Sequence, residues 1–139
     1  MRFMMIVKGN KDSESGVMPT EEMLATMGKY NEELQRAGVL LDLSGLKPTS
    51  AGAKIRFSGG KRTVIDGPFA EAKEIVAGYW IIQVKSREEA IEWAKRVPFQ
   101  EGEVELRAFH ELEDFAPGPA VEAAKELGKK LPATASSKR

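Results

Sequence analysis

A chain of 139 residues, of which 42% are apolar and 30% charged, is long enough to bury one hydrophobic core and does not require a second domain. Its 21 basic and 21 acidic side chains cancel, which removes the long-range field that would draw it to nucleic acid or to an anionic membrane. The absence of cysteine excludes disulfides and thiolate chemistry and favours a cytoplasmic location. Small molecules and other proteins are therefore the expected partners.

The N-terminal third predicts a strand, a helix and a second strand. The apolar run at residues 3–7 indicates a central strand buried on both faces. Residues 11–19 are polar or glycine-containing and predict a loop. Thr20 then caps a helix that carries one apolar stripe and ends at Gly38. The β-rich segment 39–43 predicts the second strand.

The middle of the chain predicts a hairpin and a sharply turned loop. Strand patterns at 53–57 and 63–65 flank the two-residue turn Gly59-Gly60. Residues 66–74, here called the Asp66 loop, read Asp-Gly-Pro-Phe-Ala-Glu-Ala-Lys-Glu and precede another apolar strand at 79–84. Because this short turn gathers four ionisable groups, it is the best candidate for a functional site. Those groups are Asp66, Glu71, Lys73 and Glu74.

The C-terminal third predicts a short helix, a last strand and an appendage. Ser86 and Glu89 have the spacing of a capping box, and residues 104–109 alternate as a strand with one buried face. From residue 116 prolines recur and the local charge is +3. We therefore assign residues 1–115 to the domain and 116–139 to an appendage that is partly helical and then disordered.

The element order β-α-β-β-β-β-α-β predicts an α+β, ferredoxin-like fold, with two helices on one face of an antiparallel or mixed sheet. The other sheet face would leave a large apolar surface exposed to water, which is unfavourable, since the strands contain Phe57, Tyr79, Trp80 and Phe109. Alternation places Tyr79 and Trp80 on opposite faces. A two-fold partner would cover the free face, so we expect a homodimer.

The carboxylates of the Asp66 loop allow three interpretations. Like-charge neighbours and partial burial could raise the pKa of Asp66, Glu71 or Glu74 enough for a general base. Lys73 instead favours ion pairs that fix the loop, and ligand binding is the third interpretation. The candidate ligand-binding residues are Asp66, Phe69, Glu71, Lys73, Glu74, Tyr79 and Arg107.

Candidates outside the loop are weaker. His110, beside Glu111, is a catalytic candidate together with Asp66, or an ordinary surface histidine. Arg107 could clamp a carboxylate ligand or pair across strands, and Tyr79 could stack on a ligand or pack in the core. One histidine with scattered carboxylates gives no transition-metal spacing, so no metal and no cofactor is predicted.

The Asp66 loop also carries a family resemblance. Asp66-Gly67-Pro68-Phe69, with the charged residues after it and Gly78-Tyr79, resembles the signature of the DGPF branch of the YCII-related proteins. The similarity extends over about residues 1–110, through Arg2, Ala37-Gly38, and segments 90–94 and 105–107. It implies a dimeric α+β barrel with a pocket between the sheet, the first helix and the loop.

The same resemblance implies two functions. Some YCII-related proteins are lyase-like or dehalogenating enzymes similar to muconolactone isomerases, with a histidine on the first helix paired with an aspartate. Here the place of that histidine falls at Met27 and that of the aspartate near Arg36, so the dyad is not carried over. We expect a small-molecule-binding homodimer with, at most, weak lyase or isomerase activity. The alternative is a regulatory or adaptor protein that partners a sigma factor of the extracytoplasmic-function type.

Overall fold

Six strands and four α-helices occupy residues 1–69 and 74–131, the part of the chain that the structure, a computed structural model, describes. The strands are β1 (Arg2–Lys8), β2 (Leu40–Gly45), β3 (Ala53–Ser58), β4 (Lys61–Asp66), β5 (Val76–Gln83) and β6 (Val104–Ala108). The helices are α1 (Lys11–Glu14), α2 (Glu21–Arg36), α3 (Arg87–Lys95) and α4 (Pro119–Lys129). Short 3₁₀ turns lie at Thr49–Ala51 and Leu112–Asp114.

Four of the strands form one antiparallel sheet in the order β2-β5-β1-β6. Met5 of β1 lies opposite Trp80 of β5 on one side and opposite Leu106 of β6 on the other, so β1 is an interior strand as predicted. Strands β3 and β4 form a separate two-stranded hairpin. Its turn residues Gly59 and Gly60 both have positive φ, as a tight hairpin turn requires. The α+β, ferredoxin-like prediction is confirmed.

The helix boundaries follow the local sequence signals. The Thr20 hydroxyl accepts from the Met23 N–H at the start of α2, and Gly38 follows its end with φ +74°. Ser86 caps α3 by accepting from the Glu89 N–H. The prediction of a continuous loop at 11–19 is wrong at its start. Asn10 and Ser13 form a reciprocal capping box that gives α1 one helical turn.

The core lies between the sheet and helices α2 and α3, which pack on the same sheet face. Met5, Leu34 and Ile82 are fully buried, and each contributes about 1.5–3 kcal/mol by leaving water. The Tyr30 ring meets the Trp80 indole edge-on at 5.4 Å, and its hydroxyl donates to the Trp93 carbonyl over 2.7 Å. Burial raises the pKa of the Tyr30 phenol. The two helices are thus joined through one tyrosine.

The second face of the sheet, here called the open face, carries Met4, Ile6, Tyr79 and Ile81 at its centre, all half-buried. The expectation for Trp80 and Tyr79 is confirmed, because Trp80 is 4% exposed among the helices and Tyr79 alternates away from it. Phe57 does not belong to this sheet, since it lies on the hairpin and is 66% exposed. The prediction that β1 is buried on both faces is therefore only half correct for the single chain.

Helix α4 lies in the segment predicted to be a partly helical appendage, while the end at 132–139, predicted to be disordered, lies outside the described residues. The domain boundary after residue 115 stays a prediction. Within residues 1–69 and 74–131, no helix combines the length and apolar character needed to cross a membrane.

Candidate functional site

The described start of the Asp66 loop, residues 66–69, follows the end of β4 and packs against the 3₁₀ turn at Thr49–Ala51. The Gly67 N–H donates to the Gly52 carbonyl over 2.9 Å, and the Gly67–Pro68 peptide is cis. A Cβ at Gly67 would collide with the main-chain carbonyl of Thr49. Only glycine fits this approach, so the glycine of the signature brings the loop onto the turn.

Beyond this glycine, a chain of hydrogen bonds connects the loop to helix α1. The Phe69 N–H donates to the Thr49 hydroxyl over 3.0 Å, and that hydroxyl donates in turn to a Glu14 carboxylate oxygen. The second Glu14 oxygen accepts from the Thr49 N–H at 3.0 Å. One carboxylate therefore fixes the turn that holds the loop. Sequence reasoning missed Glu14 and Thr49, because partners 35 residues apart leave no local pattern.

The predicted residues of the loop do not form a described cluster. Asp66 and Glu74 are exposed, and Phe69 is half-buried with the Lys54 ammonium 4.2 Å from its ring centroid. Glu71 and Lys73 lie outside the described residues. The contacts of Gly67 and Phe69 hold the start of the loop without Lys73, whose predicted ion pairs lie outside the described residues. The loop-fixing, ligand-binding and catalytic interpretations of the charged residues therefore all stay predictions.

The two outlying candidates lie elsewhere. Arg107 is on the open-face side of β6, 3.3 Å from Glu105, whose other partner is Lys8 at 3.1 Å. Hydrogen bonds from Lys8 and then Arg107 lower the pKa of the Glu105 carboxyl. The His110 side chain is 81% exposed, with Nδ1 3.9 Å from an Asp114 oxygen. Both residues have the surroundings of ordinary surface pairs.

A cavity of about 300 Å³ opens between α2 and the β2 end of the sheet. Helix α2 supplies one wall with Leu24, Met27 and Asn31, and Phe99, after α3, supplies part of the rim. The remaining described lining comes from three strands. It consists of Val7, Leu43, Ser44, Gly45, Ala77, Gly78, Tyr79 and Trp80.

Two facing glycines form the strand side of this cavity. Gly45 of β2 lies opposite Gly78 of β5 in the sheet register. A Cβ at Gly78 would come within 2.9 Å of the Ser44 carbonyl oxygen, so a side chain there would push the strands apart. Gly78 thus allows the two strands to pack closely, whereas Gly45 is exposed and an added Cβ there would meet nothing within 4 Å.

The principal polar group in the lining is the Asn31 side chain. The Trp80 indole N–H donates to Asn31 Oδ1 over 2.7 Å, which connects β5 to α2 and fixes the orientation of the amide. Ser44 and Tyr79 are opposite each other in the register and also border the cavity, but their side chains alternate toward the open face. None of the described lining residues is an aspartate, glutamate, lysine, arginine or histidine. The cavity therefore suits uncharged molecules.

Among the described residues predicted to bind a ligand, Tyr79 borders the cavity, although its side chain alternates toward the open face. Met27, where the resemblance places the family histidine, also lines the cavity. Asn31 was missed, although the sequence contains a signal for it. Leu24, Met27 and Asn31 are spaced by three and four residues, so an amide interrupts an apolar helical stripe. No group of three metal-ligating side chains occurs within the described parts of the chain.

Comparison with known proteins gives two findings. The sequence model of the YCII-related domain matches residues 1–113. An uncharacterized protein of Rhizobium meliloti (strain 1021) is 38% identical over 86 residues, which cover 62% of this chain and 64% of that protein. The aligned part thus spans less than two thirds of the length of that relative.

Proposed function

The chain belongs to the YCII-related family, and we propose that it binds a small, largely apolar molecule in the cavity between α2 and the sheet. The observation that carries the proposal is the lining itself, which combines apolar walls, a fixed amide and no charged side chain among the described residues. A cavity of about 300 Å³ is at the lower end of the size of small-molecule sites.

Exposed apolar side chains at the cavity support the same proposal. Leu24 is 53% exposed and Phe99 is 40% exposed, although both line it. A ligand that covers them removes apolar surface from water at about 25 cal/mol per Å². In the protein without ligand these side chains stay exposed to water, so this favourable free energy is available to a ligand that covers them.

Weak lyase or isomerase activity would require catalytic groups in the cavity in addition to ligand binding. Such chemistry needs a general acid or base, and the described lining offers neither a carboxylate nor an imidazole. Met27 at the position of the family histidine supplies only a thioether. Binding without turnover is therefore the function that we propose.

The binding experiment uses the neutral fluorescent probe N-phenyl-1-naphthylamine, whose emission rises in apolar sites. We expect saturable binding by the unchanged protein and a loss of at least tenfold in affinity with Leu24→Asp, which places a charge in the lining. Gln35→Asp adds the same charge to an exposed position of α2 outside the cavity and should bind normally. Equal binding by the two variants would contradict the proposal.

We also propose a homodimer formed through the open face, in a cytoplasmic location that the absence of cysteine favours. Met4 and Ile81 are adjacent at the centre of this face, and a two-fold axis would pair it with itself. Native mass spectrometry should give the mass of two chains for the unchanged protein and of one chain for Ile81→Asp, with Gln35→Asp as control. A monomeric unchanged protein would contradict this assembly.

The alternative adaptor function requires a protein-binding surface, and the β3–β4 hairpin offers one. Ile55, Phe57 and Val64 are 49%, 66% and 64% exposed, and the hairpin carries Lys54, Arg56, Lys61 and Arg62. Co-purification with a sigma factor encoded beside its gene should then disappear with Phe57→Ser. Retention of the complex by that variant would argue against the hairpin as the contact.

A further inference from the structure

The hydrogen bond between Trp80 and Asn31 determines which polar atoms the cavity presents. An indole N–H can only donate, so its partner at 2.7 Å must be the oxygen of the Asn31 amide. The Asn31 Nδ2 group keeps two N–H donors, and neither makes a hydrogen bond to the residues that the structure describes. The Asn31 amide is thus held in place by the hydrogen bond that its oxygen accepts from Trp80, and its two N–H groups can donate to a ligand.

From this arrangement we infer that the ligand is a neutral ring compound whose carbonyl oxygen accepts a hydrogen bond from the Asn31 amide. The inference rests on the proposed binding function and names the ligand class for the same cavity. The class includes aryl ketones and aromatic amides.

The neutral character of the ligand follows from the charges around it. An anion or a cation would lose its hydration in a lining that supplies no counter-charge among the described residues. Lys8, Glu101 and Glu103 line a neighbouring cavity of about 430 Å³ that shares Val7 and Phe99 with this one. Glu22 lines another neighbour, of about 270 Å³, that shares Met27 and Phe99. A charged ligand would favour one of these neighbours.

The shape of the lining favours a flat ring. Gly45 on the strand side is exposed and has no side chain, so a planar group can lie against the backbone there without meeting a Cβ atom. Met27 on the helix side is unbranched and adapts to a ring, with which its sulfur makes favourable contacts. The amide donors of Asn31 then lie at one end of an apolar slot.

Three probes of nearly equal shape test the inference, namely acetophenone, α-methylstyrene and benzoate. They differ in presenting a neutral acceptor, no acceptor and an anion. Binding is followed by the NMR signal of the Trp80 indole N–H, which Trp93→Phe identifies because the chain has two tryptophans. We expect acetophenone to bind about 3- to 10-fold more tightly than α-methylstyrene, as one hydrogen bond provides. Benzoate should bind at least tenfold more weakly than acetophenone.

The matched variant is Asn31→Asp, measured at pH 8. Its carboxylate can still accept from the Trp80 indole but replaces the amide donors with an acceptor. The preference for acetophenone over α-methylstyrene should disappear, while Gln35→Asp should keep it. Asn31→Leu removes the donors and the acceptor together and should also abolish the preference for acetophenone. It replaces Asn31→Asp in this test if the aspartate variant does not fold.

The outcomes separate the ligand class from the binding function. Equal affinities for acetophenone and α-methylstyrene, tightest binding of benzoate, or no effect of the three probes on the indole signal would each overturn the carbonyl inference. The naphthylamine experiment with Leu24→Asp decides independently whether the cavity binds ligands at all. A preference for acetophenone that survives in Asn31→Asp would assign the donor to another residue and would also overturn the inference.

Discussion

The Trp80 indole N–H donates to Asn31 Oδ1 over 2.7 Å, and this bond joins an interior strand of the sheet to the helix that forms the cavity wall. Tyr30, the residue before Asn31, meets the same indole edge-on with an interplanar angle of 84°. One buried side chain of β5 thus holds two consecutive residues of α2. The core therefore sets the position of this part of the cavity wall.

A double-mutant cycle should measure this connection. We expect Trp80→Phe to lower the free energy of unfolding by about 1.5–3 kcal/mol, since it loses the hydrogen bond and leaves a void. Combined with Asn31→Leu, it should show a coupling of about 1 kcal/mol in urea denaturation. Trp93→Phe is the matched control, because the Trp93 indole makes no hydrogen bond to the described residues. It should lower the free energy of unfolding by less than Trp80→Phe does. Strictly additive effects would show that the bond contributes nothing.

Tyr30→Phe should lower the free energy of unfolding by about 1 kcal/mol at neutral pH. The substitution removes the hydroxyl that donates to the Trp93 carbonyl over 2.7 Å and leaves that carbonyl without this partner. Tyr79→Phe controls for the loss of a phenol on the open face, where the hydroxyl has no partner among the described residues. A change of similar size in both variants would contradict the role assigned to the connection between α2 and α3.

The same tyrosine should cause a loss of stability at alkaline pH. Burial raises the pKa of Tyr30 above its ordinary value of 10.0, so above about pH 10 the unfolded chain releases this proton and the folded chain keeps it. Stability therefore falls as pH rises through that range. Thermal melts between pH 9 and 11 should fall less steeply for Tyr30→Phe than for the unchanged protein. Parallel curves would show that the phenol is not held in its neutral form.

Two glycine-to-alanine substitutions should change the free energy of unfolding in opposite directions. Gly67→Ala forces a Cβ against the Thr49 carbonyl and should lower the free energy of unfolding by about 2 kcal/mol or more. Gly28→Ala lies within α2, where an added Cβ meets nothing within 4 Å, and should raise stability by about 0.5–1 kcal/mol. Chemical denaturation of both variants tests the pair. A neutral Gly67→Ala would mean that the Asp66 loop moves away from the turn at no cost.

The ion pair between Arg2 and Glu111 should contribute to stability only above acid pH. Its two hydrogen bonds, at 2.9 and 3.1 Å, lower the pKa of the Glu111 carboxyl below its ordinary 4.5. As pH falls from about 5 to 3 the unfolded chain takes up this proton first, and the contribution is lost. Because the pair is half-exposed, the effect should stay below about 1 kcal/mol.

Glu111→Gln should flatten the stability curve in that acid range, as measured by urea midpoints from pH 6 to 3. Glu113→Gln is the control, since Glu113 makes no ion pair within the described residues. If Glu111→Gln leaves the fall of the urea midpoint between pH 6 and 3 unchanged, the ion pair between Arg2 and Glu111 does not contribute to the acid loss of stability.

Local sequence signals specified most of the secondary structure. The cap at Thr20, the glycine at position 38 and the Gly59-Gly60 turn each act on neighbouring backbone groups, so their effects can be predicted from a few residues. The one-turn helix α1 was missed because its capping box uses only Asn10 and Ser13 within a polar segment. The alternation of β5 correctly assigned Trp80 to the helix face.

The candidate site was predicted less well than the fold. The sequence drew attention to the charged residues 66–74, whereas the described cavity lining is mainly apolar, includes the amide of Asn31, and comes largely from α2 and three strands. Charged residues cluster visibly along the chain, but a cavity is defined by residues distant in sequence. Among the described residues, Tyr79 alone belongs to both the predicted set and the lining.

By itself the sequence determined the family, the element order and the α+β class, because these depend on local caps, periodicity and a contiguous signature. The tertiary structure alone decided that Glu14 holds the Asp66 loop through Thr49, and that Trp80 orients the amide of Asn31. The hydrogen bonds of these two arrangements join residues 20, 35 and 49 positions apart. Such hydrogen bonds form only where the packing of the core brings the partners together, so neither segment alone records them.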